Sequence, residues 1–458
     1  MAQNMYKWAR LARNFGADAT LYLHPQDKTA ISRPEWEEYD GEYPDVLDGA
    51  GFLATAHGIS AEVPVVEPSN DGSELLSAYE RAPARPNWIA ALRERLSLSA
   101  PGLAMKMLRD PQLAQLRARS PSVRHRPLLQ FEGMYPYFRW AELLAAHDVT
   151  YVASSPFVAY ASGKPYCIFS VGGDLQLDAG RGDDYGAAMR LAFASARFIL
   201  ASNPHTLGHC RRLGFTNAVY LPYPMDTGRY CPAPGRARQE WIDRFGGDVF
   251  VLTTSRIDKS VKGHSDDLFA AIAAVARSRE NVRFVFLGWG AQAEELRRRI
   301  LAMDLGRQLF VLPPVGKKRL LDYYRSSDIV LDQFIYGYYG ATALEAAAVG
   351  KPVIMKLRTE HYAPLCAGDV APVCNASTPA EVGAALVELI DSPQRRHDLG
   401  LRLREWVVRT HGEAQTMPAL LALLQMAADR RRTPRRLDNP LHDALSVEEL
   451  AYHQRCLQ

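Results

Sequence analysis

The sequence predicts an α/β protein built from two Rossmann-like domains, and three observations predict it. From about residue 249 onward, short β-rich runs alternate with stretches carrying apolar residues at helical spacing. Those runs are apolar along their whole length, as expected of parallel strands covered on both faces. The first half repeats the alternation less regularly, and the Pro- and Gly-dense "PYPMDTGRYCPAPGR" (222–236) separates the halves.

In the second half the elements follow in order. "VFVLTTS" (249–255) reads as a strand, "DDLFAAIAAVARSR" (266–279) as a helix and "VRFVFLG" (282–288) as a strand. A helix near 292–303, the strand "LFVLPPV" (309–315) and a helix near 317–326 come next. The strand "IVLDQF" (329–334), a helix near 341–349 and the strand "PVIMK" (352–356) close the series. In the first half, "NMYKWARLARNFGADATLYL" (4–23) reads as helix then strand, and "VTYVA" (149–153) and "YCIFSV" (166–171) as strands. Two further helix-strand pairs lie in "YGAAMRLAFASARFILAS" (185–202) and "HTLGHCRRLGFTNAVYL" (205–221).

These elements set the expected domains: 1–222 as an N-terminal Rossmann-like domain with an irregular Pro- and Arg-rich insertion at about 25–145, 223–411 as a C-terminal one, and 412–458 as a helical tail. The chain opens on what reads as the first helix, "QNMYKWARLAR" (3–13), so the expected first strand of the N-terminal domain is missing, through a late start site or a truncation.

Composition excludes several classes. With 458 residues, 47% hydrophobic and 23% charged, the chain is globular rather than disordered. A net charge of +3 is too mild for a nucleic-acid binder, so no nucleic-acid partner is expected. Six scattered cysteines, with no CxxC pair, read as reduced thiols of a cytoplasmic protein. No apolar stretch approaches the ~20 residues that span a bilayer. The basic run "DRRRTPRRLDNP" (429–440) reads first as a solvated surface turn and second as a peripheral contact with anionic lipid at the inner membrane face.

The chemistry concentrates behind two strands. Arg256 and Lys262 bracket the loop leaving "VFVLTTS", at the strand end where doubly wound domains hold ligands. A guanidinium fork and an ammonium there suit a diphosphate, although two exposed loop cations would look the same. In "YGYYGATALEAAAVGKPVIM" (336–355), Gly337 and Gly340 allow a sharp turn, and the helix behind them aims its first amides at the same edge. Glu345 lies about a turn inside that helix, as a ribose acceptor or as the last residue of a T-x-x-E capping box with Thr342.

Together "SRIDKSVKG" (255–263), "GYYGATALEAAAVGKPVI" (337–354) and the two α/β halves resemble the retaining glycosyltransferases of GT-B fold, specifically family four. The resemblance is close over about 249–411, weaker over 149–235 and nearly absent over 25–145. It implies two Rossmann-like domains facing each other across a cleft. It implies that Arg256 and Lys262 bind the diphosphate of a nucleotide-sugar and that Glu345, as the second Glu of an E-x7-E motif, binds the ribose. The amides of Gly340, Ala341 and Thr342 would cradle phosphate and sugar.

Two departures stand out. Gly337 occupies the place of the first motif Glu, so its sugar contact is absent or supplied by backbone or by Asp332. In "SVGGDLQ" (170–176), Val171 replaces the histidine of a His-Gly-Thr-Asp turn, while Asp174 is retained either to orient an acceptor hydroxyl or as ordinary turn chemistry. No D-x-D occurs, so no metal and no cofactor are expected beyond a donor such as a UDP- or GDP-sugar. The expected function is metal-independent, retaining transfer of a sugar to an acceptor hydroxyl on a glycan, a lipid-linked glycan or a small molecule, in polysaccharide or glycolipid biosynthesis. The alternatives are a nucleotide-sugar epimerase and a nucleotide-sugar-binding protein that has lost catalysis.

Overall fold

The computed structural model describes residues 5–23, 33–43, 59–66, 143–153, 156–170, 172–182, 184–260, 262–366 and 368–429. Most of the expected 25–145 insertion, Val171 and the basic run from 430 onward lie outside them. The chain divides into two compact units, one of residues up to Val65 with Tyr223–Met417, the other of Val66–Pro222 with Pro418 onward.

The first unit carries a six-stranded, all-parallel sheet. Its strands are β7 (Val249–Thr253), β8 (Val282–Leu287), β9 (Leu309–Leu312), β10 (Ile329–Leu331), β11 (Val353–Met355) and β12 (Cys374–Asn375), in the order β12-β11-β10-β7-β8-β9. Every residue of β7, β10 and β11 is buried, which is why these segments read as continuous apolar runs. The chain moves outward from β7 through β8 to β9, then returns to place β10 on the other side of β7. The strand order therefore reverses between β7 and β10, which is where open α/β sheets form a crevice. Helix Asp266–Ser278 follows β7 and starts on Ser265, whose side chain accepts the Leu268 amide at 3.2 Å.

The second unit holds a four-stranded parallel sheet, β3 (Thr150–Ala153), β4 (Tyr166–Phe169), β5 (Phe198–Ala201) and β6 (Ala218–Tyr220), in sequential order. The strands expected within 149–221 are all present.

The N-terminal stretch departs from expectation. Helix α1 (Met5–Asn14) belongs with the first unit, and β1 (Leu21–Tyr22) pairs with β2 (Val65–Val66) in a separate two-stranded sheet. Residues 4–23 are thus not the opening helix and strand of the domain formed by β3–β6, and the expected 1–222 boundary does not follow the packing. Helix Glu413–Ala428 lies within the expected tail, and the division between units falls inside it, just before Pro418.

Buried charge explains the docking of this stretch. Arg10, on α1, donates to Glu38 at 3.1 Å and to Asp226 at 2.6 Å. Glu38, at the end of α2 (Pro34–Glu38), also accepts from Arg229 at 2.8 Å and pairs with Lys318 at 3.1 Å. Backbone bonds add to this, with Tyr43 donating to Pro314 at 2.7 Å and Gly316 to Gly41 at 3.0 Å. Burial alone would raise the Glu38 carboxyl, but Arg229, Lys318 and Arg10 outweigh it and hold the pKa below its usual 4.5. A depressed carboxylate stabilises the fold above that value and loses the contribution as pH falls.

Glu38→Ala would leave Arg10 and Arg229 buried without their shared partner. It should cost about 3–5 kcal/mol in urea unfolding at pH 7, and the deficit should shrink on acidification below pH ~4.5. A variant within about 0.5 kcal/mol of wild type would show that this network does not hold the N-terminal stretch.

Candidate functional site

The reversal between β7 and β10 brings three loops together. The loop after β7 carries Arg256, Lys262 and Gly263. The Lys262 carbonyl accepts the Phe334 amide, from the loop after β10, at 2.8 Å. Gly263 has φ +81°, and a Cβ there would lie 3.0 Å from Ile335 and 3.1 Å from Phe334, so a glycine is needed for the close approach. On the other side the Ile257 amide donates to Trp289, after β8, at 2.9 Å, and the stem of Arg256 packs on Gly290. The two cations are therefore held by backbone bonds to both neighbouring loops.

Few groups neutralise them. Arg256 lies 3.9 Å from Asp258, and its buried Nε has no hydrogen-bond partner among the described residues. Burial, with Lys262 nearby, pushes His264 down to about 4, so it is neutral near pH 7. Its Nδ1 accepts the Asp258 amide at 3.3 Å.

The glycine turn after β10 is stapled by Gln333, whose Oε1 accepts the amides of Tyr336 at 2.9 Å and Gly337 at 3.3 Å. Its Nε2 donates to the carbonyls of Tyr338 at 3.0 Å and Lys356 at 3.2 Å. Gly337 adopts φ +78°, and a Cβ there would meet Cγ of Arg358 at 2.5 Å. A Glu at this position would be strained and would collide, which accounts for the missing first carboxylate. Helix α10 (Ala341–Ala348) starts on Gly340 with no side-chain cap. Asp332 is buried; desolvation raises its carboxyl, while Lys262 and the Ala343 amide oppose the rise. The amides of Ala341 and Thr342, in the first helical turn, have no intrahelical acceptor.

The capping-box reading of Thr342 and Glu345 does not hold. Gly340 takes the N-cap position, and Thr342 instead accepts from the Thr254 hydroxyl at 3.4 Å. Glu345 forms an ion pair with Lys317 at 2.5 Å, the side chains being 1% and 5% exposed. Its Oε2 has no hydrogen-bond partner among the described residues. Lys7, buried over the Tyr223 ring at 4.1 Å, lies within electrostatic reach of Glu37 and Glu345. Desolvation brings its pKa down to about 8, against the pull of both carboxylates. Nothing in the sequence singled out Lys7 or Lys317, which read as ordinary charges on amphipathic helices.

Beside Arg256, at the carboxyl ends of β8 and β9, lies a cavity of about 450 Å³. Gly288, Trp289, Gly290, Ala291, Pro313 and Pro314 line it, joined by Glu42 and Tyr43 from the N-terminal stretch. Its volume is within the range of small-molecule sites. The Trp289 indole is fixed by donation to the Thr254 carbonyl at 2.9 Å.

Asp174, in the second unit, is built into its own turn. Its Oδ1 accepts from the Ser170 hydroxyl at 2.8 Å and from the amides of Gly172 at 3.0 Å and Leu175 at 2.9 Å. The turn-forming alternative for Asp174 describes this geometry. Of the expected residues, the structure groups Arg256, Lys262, Gly337, Gly340, Ala341 and Thr342 around one strand-order reversal, with Glu345 buried just behind.

Two cations, a helix start and a neighbouring cavity thus gather at the strand-order reversal of a doubly wound domain. Residues 238–406 match the family model described as Glycosyl transferases group 1. The chain is similar to the D-inositol 3-phosphate glycosyltransferase of Kineococcus radiotolerans, at 30% identity over 48% of this chain and 54% of that protein. A second D-inositol 3-phosphate glycosyltransferase, from Catenulispora acidiphila, is 25% identical over 40% of this chain and 45% of its own length. The chain thus spans about half the length of these curated relatives.

Among solved structures, Anabaena Alr3699/HepE in complex with UDP and glucose superposes with a TM-score of 0.57 at 13% identity, covering 93% of this chain and 95% of that one. A glycosyltransferase from Rickettsia africae gives a TM-score of 0.53 at 9% identity, covering 89% and 97%. With two parallel-sheet α/β domains, the fold is GT-B.

The ion pair predicts an asymmetry. Lys317→Met strands a buried carboxylate and should cost about 3–5 kcal/mol in urea unfolding, whereas the double variant Lys317→Met/Glu345→Leu should recover most of that loss. A double variant as unstable as the single one would contradict the pairing.

Proposed function

We propose that this protein is a retaining, metal-independent glycosyltransferase that moves a sugar from a nucleotide-sugar to an acceptor hydroxyl. The observation that carries the reading is the loop bearing Arg256 and Lys262, tied by backbone bonds to the loop that leads into α10 and to the loop lining a cavity of about 450 Å³. The base would enter between Gly288–Ala291 and Pro313–Pro314, with the ribose toward Glu345, whose buried Oε2 would have to be uncovered to accept a hydroxyl. The diphosphate would lie against Arg256, Lys262 and the amides of Ala341 and Thr342. As the bond from the anomeric carbon to the diphosphate oxygen breaks, the nucleoside diphosphate departs with both bonding electrons into this positive site. The acceptor oxygen bonds to the anomeric carbon on the same face, and its proton passes to the departing phosphate. Fixed donors aimed at developing charge need no reorganisation during the step.

The ligands named for the solved Anabaena protein favour a UDP-sugar over a GDP-sugar as donor. The relatives' names favour a small polyol phosphate among the glycan, lipid-linked and small-molecule acceptors. We further propose a cytoplasmic enzyme of polysaccharide or glycolipid biosynthesis; no helix among the described residues is long and apolar enough to cross a membrane. The engagement of Asp174 in its turn favours one second reading, a donor-binding protein without transfer.

The test is donor turnover, followed as release of nucleoside diphosphate with and without an acceptor panel. Arg256→Ala and Lys262→Ala should each lower kcat/KM by on the order of 10²–10³. Near-wild-type turnover in both would refute the proposed leaving-group site, and donor binding with no turnover by the unaltered protein would select the second reading.

A further inference from the structure

The order of loops along the sheet edge assigns a place to each part of the donor, and the part beyond the diphosphate meets a cation. The cavity lies at β8 and β9, and Arg256 and Lys262 lie at β7, facing the glycine turn after β10. A ligand laid from cavity to cations continues past the end of β10 toward the loop after β11. Arg358 stands in that loop, and its amide donates to the Gly337 carbonyl at 2.9 Å.

Its side chain fills the volume that a side chain at 337 would occupy. Cγ and Cδ of Arg358 lie 2.5 Å and 3.2 Å from an ideal Cβ on Gly337. The guanidinium has no hydrogen bond or ion pair among the described residues, and Glu360, two positions on, makes no ion pair with it. The residue is half-buried, so its stem is fixed by the turn while its five donors remain available. Two cations and the α10 amides already answer the diphosphate, so Arg358 is a surplus positive charge at the sugar end.

Resting on the glycosyltransferase reading and deepening it, we propose that Arg358 selects a donor whose sugar carries a carboxylate, a hexuronic acid rather than a neutral hexose. The guanidinium fork matches a carboxylate in two parallel hydrogen bonds. A neutral hexose offers hydroxyls only and leaves that charge unanswered.

The experiment is isothermal titration of the full chain with UDP, UDP-glucose and UDP-glucuronate, repeated with Arg358→Ala and with Arg358→Lys as the charge-conserving variant. Wild type should bind UDP-glucuronate roughly tenfold or more tighter than UDP-glucose. Arg358→Ala should erase that preference while changing affinity for UDP less than about twofold, and Arg358→Lys should keep part of it. Equal affinities of wild type for the two UDP-sugars would overturn the proposal and leave the glycosyltransferase reading intact. A roughly tenfold loss of UDP affinity in Arg358→Ala would overturn it by making Arg358 a diphosphate ligand. Absence of binding by UDP and by GDP, titrated in parallel, would remove the underlying reading and this proposal with it.

Discussion

The interaction on which the site depends is the backbone bond from the Phe334 amide to the Lys262 carbonyl, made possible by the left-handed backbone of Gly263. Loops at the ends of parallel strands are ordinarily mobile, and a cation on a mobile loop stabilises little because its ordering entropy opposes each contact. Here the loop after β7 is tied to the loop after β10 on one side and, through Ile257 and Trp289, to the loop after β8 on the other. The backbone carrying Arg256 and Lys262 is thereby held on both sides. Under the proposed reading, this bracing would let both charges act on a leaving group without the loop first being rearranged.

A second layer of constraint comes from charges that never meet solvent. Lys317 at the start of its helix and Glu345 inside α10 join the loop that walls the cavity to the helix behind the glycine turn. Residues 39–43 brace the same loop through backbone bonds to 314–318, and Glu38 draws Arg10, Arg229 and Lys318 around one carboxylate. Buried pairs of this kind add little net stability relative to apolar packing, but any arrangement that separates them is heavily penalised. Their effect is to fix one geometry. Lys7, desolvated and without a hydrogen-bond partner for Nζ among the described residues, is the least compensated member of the set.

How much of this the sequence disclosed follows from the range of the interactions. The strands β7 to β11 and their helices were legible because periodicity reports burial locally, and β7, β10 and β11 are buried at every residue. Arg256, Lys262 and the glycine turn were legible because a strand end followed by a helix fixes where a loop residue stands. Glu345 was placed correctly on its helix, yet its partner is 28 residues upstream, and no spacing rule reveals such a pair. Residues 5–14 carry a helical signal that says nothing about which sheet the helix will join, so assignment to the N-terminal domain failed. Arg358 was invisible for the same reason: its meaning arises only when the loop after β11 folds against Gly337. Gln333 looked like a routine strand-end residue, although its side chain makes four hydrogen bonds to the turn backbone.

A crystal structure of the protein with UDP bound tests the central claim most directly. The account requires the diphosphate within hydrogen-bond reach of the Arg256 guanidinium, the Lys262 ammonium and the amides of Ala341 and Thr342, with uracil between Gly288–Ala291 and Pro313–Pro314. A diphosphate bound elsewhere on the chain, with Arg256 and Lys262 turned to solvent, would contradict it.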